Sequence, residues 1–308
     1  MTTRRLLGLD LGGTNIKVVV LEDADDEAIP RVVFKAQHAT HAERGPQGVT
    51  ERLIEVGRAT IDEIGPVDSV GLGVPGLFDA ETGRIELFPN LPGPWPGHSL
   101  RDPVEEALTV PTVIINDARA FVLAEGTIGA GRHCPTLVGL TLGTGIGGGI
   151  MIEGRIHLGD SGKAGEIAHQ IIVPDGPLCG CGNRGCVEAL AKADVLSAIA
   201  GAPDVETVFE RAAAGDERSL SAIETVAGYI GIGLANVVTV LGPSCIVIGG
   251  GIVAAGDLIL DPIREATFAH VTLVPTDEIE IVRAELGSFA GAIGAALAGR
   301  GQVPVRSR

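Results

Sequence analysis

The sequence predicts an α/β fold of two similar halves, each a mixed β-sheet flanked by helices. Three observations carry this. Leu7-Gly8-Leu9-Asp10-Leu11-Gly12-Gly13 recurs 131 positions later as Val138-Gly139-Leu140-Thr141-Leu142-Gly143-Thr144, with four positions identical. A second apolar run follows each copy, Ile16–Leu21 and Gly149–Ile152, too soon for a parallel crossover, so each copy reads as an antiparallel hairpin with a Gly-rich turn. After each hairpin, short Val/Ile runs alternate with longer segments whose apolar residues recur every three or four positions, as in units of strand and helix. A chain of 308 residues has room for two such units at about 150 residues each.

Taken in order, the first hairpin is followed by a helix over Pro46–Ile64 and a strand over Ser69–Val74. Pro89–Pro96 carries four prolines and reads as a stiff irregular loop. A helix over Pro103–Leu108, a strand over Thr112–Ile115 and a helix over Ala118–Gly126 complete the first half. Beyond the second hairpin, apolar spacing predicts helices over Glu188–Ile199, Val205–Ala214, Ser219–Val240, Leu258–Phe268 and Ser288–Ala298, with strands at Cys245–Ile248 and Ile279–Arg283.

Composition narrows the classes. The chain is 45% hydrophobic and 20% charged, enough for a sizeable core. Its net charge of −16 and pI near 4.8 repel phosphate backbones, and no basic patch offsets them, so a nucleic-acid partner is not expected. Apolar runs are interrupted by glycine or charge before about 18 residues, and the first residues lack a signal-peptide pattern, so no membrane partner and a cytoplasmic location are expected. Glycine is abundant, 45 residues, and sits at the ends of Val/Ile/Leu runs, where backbone can come close to a ligand.

Five motifs carry candidate chemistry. In Asp10-Leu11-Gly12-Gly13-Thr14-Asn15-Ile16-Lys17 a two-glycine turn can bring backbone N–H groups to a phosphate beside a hydroxyl and a carboxylate; an ordinary hairpin turn is the competing reading. It is not a Walker loop, because a strand follows and Gly-Lys-Ser/Thr is missing. Gly143-Thr144-Gly145-Ile146-Gly147-Gly148-Gly149 contains G-x-G-x-x-G, yet continues as strand rather than opening a helix, which fits a second phosphate turn better than a dinucleotide fingerprint. Asn116-Asp117 joins a strand to a helix, where Asp117 suits either a helix cap or a general base. His169 with Cys179, Cys181 and Cys186 offers three thiolates and an imidazole, a closed tetrahedral zinc set, while Cys134 and Cys245 read as small core residues. Glu166 and Glu188 flank that set; a zinc clamp on the segment would hold them in fixed directions suited to polyol hydroxyls, while either taken singly reads as an exposed surface glutamate. Finally, Gly249-Gly250-Gly251 ends a strand with bare backbone, suited to a base or ribose or simply to a tight turn.

Together these residues resemble the ROK family, sugar kinases of the hexokinase/actin/Hsp70 superfamily. The match runs from Leu7 to about Gly294 and includes the D-x-G-G-T turn, Gly73-Val74-Pro75-Gly76, Pro89-Asn90-Leu91, Asn116-Asp117, Leu140–Gly149, and Gly165-Glu166-x-x-His169 through Glu188. The cysteine segment is similar to that of its zinc-carrying bacterial glucokinases. The resemblance implies a two-domain actin/hexokinase-like (ribonuclease H-like) fold with duplicated mixed sheets and a cleft between them. Residues 1–117 would form the small domain, with a helix over about 289–308 packing back on it, and 118–288 the large one. It implies phosphoryl transfer from ATP–Mg²⁺ to a hexose, glucose above all, with Asp117 as the base. Asn90, Asn116, Asp117, Glu166, His169 and Glu188 match sugar contacts. Asp10, Gly12, Gly13, Thr14 and Lys17, the turn Thr144, Gly145 and Gly147, and Gly249, Gly250 and Gly251 match the nucleotide and magnesium side. A homo-oligomer, dimer or tetramer, is also implied. Three departures from the family pattern bear on sugar preference: Ala168 where glycine is usual, Arg119 where asparagine is common, and Ala191-Lys192-Ala193. Kinases for N-acetylglucosamine, N-acetylmannosamine, mannose, fructose or allose are the alternative readings. A sugar-sensing regulator is expected less, because nine residues before Asp10 are too few for a helix-turn-helix module.

Overall fold

The apolar runs assemble into two sheets in the computed structural model, which describes residues 3–24, 29–89, 91–160 and 162–302. Asn90 and residues 303–308, the end of the expected C-terminal helix, lie outside the described residues. The first half runs through β1 (Thr3–Leu11), β2 (Asn15–Ala24), β3 (Arg31–Ala39), α1 (Gly45–Ile64), β4 (Ser69–Val74), the short pair β5 (Leu77–Phe78) and β6 (Ile85–Leu87), α2 (Arg101–Leu108), β7 (Thr112–Asn116) and α3 (Asp117–Thr127). The second half runs through β8 (Thr136–Leu142), β9 (Ile146–Ile152), β10 (Arg155–Ile156), α4 (Val187–Ala191), α5 (Ala193–Ala200), α6 (Val205–Ala213), α7 (Glu217–Leu241), β11 (Cys245–Gly249), α8 (Asp257–Ala269), β12 (Glu280–Arg283) and α9 (Ala290–Leu297).

The two sheets have the same plan. Their orders are β3-β2-β1-β4-β7 and β10-β9-β8-β11-β12. In each, an antiparallel hairpin is extended by two parallel strands on one side and an antiparallel strand on the other. The sequence repeat therefore corresponds to a repeated topology.

The repeated glycines explain how the halves meet. A Cβ on Gly8 would stand 1.9 Å from the Ala292 carbonyl oxygen of α9, and one on its counterpart Gly139 would stand 2.5 Å from the Val122 side chain of α3. One on Gly294 of α9 would strike the Ala120 carbonyl oxygen of α3 at 1.7 Å. Each sheet thus receives one helix on a bare glycine, and the two helices press on each other through small residues. Such packing leaves no room for even one added methyl group. Beyond α9, Arg300 donates from Nε to Asp23 Oδ2 at 2.8 Å and also pairs with Oδ1; Asp23 is buried and holds Arg4 as well.

Two sequence expectations need correction. The single helix over Glu188–Ile199 is broken at Lys192, whose ψ of 167° is extended; the break lets the Ala193 N–H donate to the Gly143 carbonyl at 3.0 Å, fastening the second glycine turn. The strand Arg31–Ala39 was not expected: it is an edge strand with alternating half-buried and exposed residues and few large apolar ones. By length and composition α7 is apolar enough to cross a membrane, with a mean hydropathy of 1.5, but Ile223, Val226, Ile230, Leu234 and Val238 are buried in the second core beneath α8. Cys245 is fully buried and Cys134 packs on the same core, as expected.

Candidate active site

A cavity of about 580 Å³ opens where the β1–β2 turn, the start of α3 and the end of β11 converge. Its wall includes Asp10, Gly12, Gly13, Lys17, Asp117, Gly249, Gly250 and Gly251, all singled out by the sequence. Phe121, Thr141, Ala254, Arg283, Ser288 and Gly291 also line it and were not expected. Arg283 ends β12 and Ser288 follows it, neither within a motif, so only the three-dimensional path of the chain brings them here. Gly250 has φ +95° and its missing Cβ would meet the Leu142 carbonyl oxygen at 2.3 Å, so glycine is required there on two counts.

The first turn is tightly braced. The Gly12 N–H donates to the Asn15 carbonyl at 3.0 Å, the Thr40 hydroxyl donates to the Gly12 carbonyl at 2.7 Å, and the Thr40 N–H donates to the Thr14 carbonyl at 2.9 Å. Thr40 is fully buried, and nothing in the sequence pattern marked it. Gly13 and Thr14 remain exposed at the tip.

Asn116 takes the capping duty of α3. Its Oδ1 accepts from the Ala118 and Arg119 N–H groups at 3.1 and 3.2 Å, while its Nδ2 donates to the Gly76 carbonyl at 3.1 Å. Asn116 closes the helix, and Asp117 lines the cavity, its Oδ1 accepting the Ala118 N–H at 2.8 Å. Burial raises the Asp117 carboxyl to about 6; Glu166 adds to the rise, and the Ala118 N–H and Arg119 oppose it. Burial likewise raises Asp10 to about 7, with Asp117 adding to the rise and Lys17 opposing it. Asp10 sits against the first turn of α9, where a Cβ on Gly291 would be 2.6 Å from Oδ2. Two proton-hungry carboxylates facing one cavity form a place where a cation is favoured.

The second glycine turn stands at the surface beside the cavity. Thr144 and Gly145 are exposed at its tip, and with Gly147 they lie outside the cavity wall. A Cβ on Gly147 would meet Ala118 at 2.6 Å, one on Gly148 would meet Gly165 and Ile167 at 3.2 Å, and one on Gly149 would meet Val122 at 3.0 Å. The run of three glycines in β9 therefore lets α3 and the 165–167 segment lie close to the strand. Glu188 Oε1 accepts the Ile146 N–H at 3.2 Å, while Oε2 stands 3.5 Å from Cys179 Sγ and 3.8 Å from His169 Nδ1. Glu188 thus ties this turn to the cysteine segment.

His169, Cys179, Cys181 and Cys186 present four ligand atoms all within 4.8 Å of one another. Cys181 and Cys186 sulfurs are 3.6 Å apart, and Cys179 Sγ is 3.5 Å from His169 Nδ1. A tetrahedron with metal–sulfur bonds of about 2.3 Å has sulfur–sulfur edges of about 3.8 Å, so the cluster has the right size for a tetrahedral cation. Burial pushes the Cys179 thiol up to about 12 and also raises Cys186, so a cation is what would draw off their protons. On the other edge of the ring, His169 Nε2 lies 3.9 Å from Glu166 Oε2.

Glu166 accepts from Arg119 Nη2 at 3.0 Å, and Arg119 also donates from Nε and Nη2 to the Ala164 carbonyl at 3.2 and 3.0 Å. Lys163 pairs with Glu86 of β6 at 2.7 Å, joining the two halves beside this segment. In the segment after Asn90, Leu91 and Trp95 are buried; Trp95 packs against Phe88 with centroids 4.7 Å apart and the rings tilted by 42°, and donates from Nε1 to the Pro92 carbonyl at 3.1 Å.

Two like-ordered sheets around a cleft, with an acid at the head of the helix between them, make this an actin/hexokinase-like fold. The chain belongs to the ROK family, whose description matches residues 6–300. It is 34% identical to a glucokinase of Thermotoga maritima, covering 96% of this chain and 97% of that one. Among solved structures it is similar to a ROK hexokinase from Thermus thermophilus, at 35% identity and a TM-score of 0.85, covering 96% and 98% of the two chains. It is also similar to a ROK family glucokinase from Streptomyces griseus in complex with glucose and AMPPNP, at 31% identity and a TM-score of 0.79, covering 96% and 99%.

Proposed function

We propose that this protein is a cytoplasmic kinase that transfers the γ-phosphoryl group of ATP to the 6-hydroxyl of a hexose, with glucose as the preferred acceptor. The observation that carries this reading is Asp117, released from capping by Asn116 and facing the same cavity as Asp10 and two glycine-lined walls. As the hydroxyl oxygen bonds to phosphorus and the bond to ADP breaks, Asp117 takes the hydroxyl proton. At about 6 its carboxyl is ionised at neutral pH yet basic enough for this step. Phosphoryl transfer asks chiefly for alignment and neutralised charge.

Gly12, Gly13, Thr14 and Lys17 would hold the phosphates, and Gly249, Gly250 and Gly251 would border the adenosine. The exposed tip at Thr144 and Gly145, with Gly147 behind it, would meet the phosphates as the halves close. Magnesium, when bound, neutralises the phosphate charge, and Asp10 is the residue that would hold it, through water. Asn90, Asn116, Glu166, His169 and Glu188 would contact the sugar. Zinc on His169, Cys179, Cys181 and Cys186 would be structural, since all four positions are protein ligands. Residues 1–117 with the C-terminal helix would move against 118–288 on sugar binding, excluding water. A dimer or tetramer is the assembly we expect, checked by light scattering.

The test is a panel of hexoses with ATP–Mg²⁺ in a coupled ADP-release assay. Glucose should give the highest kcat/KM. A higher value for N-acetylmannosamine, N-acetylglucosamine, mannose, fructose or allose would reassign the acceptor, and no turnover with any sugar would remove the kinase reading.

A further inference from the structure

We propose that Arg119 is a positioning residue for the hexose: it fixes Glu166 and the Ala164–Glu166 segment in the orientation that receives the acceptor. This rests on the reading of Glu166 as a sugar contact. Arg119 lies at the third position of α3, at the positive end of a helix dipole, where a cation is disfavoured. Its side chain is 5% exposed, and arginine is rarely buried without partners. The placement is sustained by what the guanidinium holds, the Ala164 carbonyl twice and Glu166 Oε1 once. Both partners belong to the one segment that leads into His169.

The geometry around Glu166 gives the role its content. Oε1 is taken by Arg119 at 3.0 Å, while Oε2 points toward His169 Nε2 at 3.9 Å, the ring edge opposite the cysteines. The segment itself leans on β9, since a Cβ on Gly165, at φ +94°, would come within 3.1 Å of the Gly149 Cα. Arg119 therefore commits one carboxylate oxygen to the protein and leaves the other, in one fixed direction, for a hydroxyl. Without the guanidinium, the half-exposed Glu166 would rotate freely and the Ala164 carbonyl would lose both its donors. A planar fork that serves a carbonyl and a carboxylate together is a task lysine cannot reproduce.

The experiment is a double-mutant cycle of wild type, Arg119→Met, Glu166→Gln and the double variant, with Arg119→Lys as a fifth protein. Hexose KM is measured at saturating ATP–Mg²⁺, ATP KM at saturating hexose, and a melting curve is taken for each. Arg119→Met should raise hexose KM by about tenfold or more with ATP KM within about twofold, and Arg119→Lys should recover only part of the loss. In the Glu166→Gln background the same change should add less than about twofold, because its effect runs through Glu166. Equal proportional effects in both backgrounds, or an unchanged hexose KM, would overturn the proposal. If Arg119→Met does not fold, a wild-type hexose KM in Arg119→Lys overturns it and a selective rise supports it. A wild type that turns over no hexose removes the underlying reading of the site, and the proposal with it.

Discussion

Glu125 Oε1 accepts the N–H of Leu286 at 2.9 Å, joining the far end of the helix that begins at Asp117 to the segment that carries the chain back to the first sheet. Glu125 is fully buried, and its Oε2 accepts two more N–H groups, from Ala130 at 2.9 Å and Glu285 at 3.2 Å. Three donors satisfy the carboxylate, and the segment they hold leads directly to Gly287 and Ser288 on the cavity wall. A single helix thus carries Asp117 at one end and anchors the opposite cavity wall at the other.

Glu125→Ala leaves those N–H groups buried without an acceptor, at about 1–3 kcal/mol each where water cannot enter. The expected result is a melting temperature lower by several degrees and a higher ATP KM, with hexose KM changed less. Thermal melts and steady-state kinetics check both. A variant that melts lower with both KM values unchanged would limit Glu125 to a structural role.

Asp117→Asn removes the proposed base and keeps the shape. Turnover should fall by about three orders of magnitude or more while calorimetry still detects hexose and ATP binding, because Asn116 continues to cap α3. In the wild type, kcat/KM should decline as pH falls through about 6, where Asp117 takes up its proton. Asp10 and Asp117 influence each other, so the profile reports the pair.

How far the sequence disclosed this site follows from what each residue does. Asp10, Asp117 and the glycines at 12, 13 and 249–251 were readable because they interrupt strong apolar runs, and they do line the cavity. The cysteine cluster was readable because three thiols in eight residues have few other uses. The glycines of β9 were legible as a pattern but not as a cause: their reason is contact with Ala118, Val122 and the 165–167 segment, residues distant in sequence. Thr40, Arg283 and Ser288 were hidden for the same reason, since each reaches the site by the path of the chain. The break at Lys192 was hidden because the apolar spacing runs on through it, and only the bond from Ala193 to Gly143 accounts for it.

Asp10 makes a prediction about stability. Its folded carboxyl is near 7 against an ordinary 3.8, so the native state holds the extra proton between those values. This contribution is present at low pH and is lost as pH rises through about 7, when an ionised carboxylate must be kept in a poorly solvated place. Asp10→Asn should therefore raise the melting temperature of the ligand-free protein at pH 8 and change it little near pH 4, while phosphoryl transfer is lost. In the wild type, Mg²⁺ with ATP should restore stability at pH 8. Melts at both pH values decide the matter, and a lower melting temperature for Asp10→Asn at pH 8 would contradict the burial argument.

The cysteine segment predicts a coupling between metal content and sugar affinity. If His169, Cys179, Cys181 and Cys186 hold zinc, elemental analysis should give about one zinc per chain. Cys181 is the exposed ligand, so Cys181→Ser opens the site without cutting into the core. Glu188 touches both Cys179 and the Ile146 N–H, so disorder in the segment reaches the second glycine turn. Cys181→Ser, or chelation of the wild type, should therefore lower the melting temperature and raise both hexose and ATP KM, the first through His169 and Glu166 and the second through Ile146. Arg119→Met, which disturbs Glu166 and the Ala164 carbonyl but not the Ile146 turn, should leave ATP KM near its wild-type value. Fully active protein free of metal would dissolve the argument.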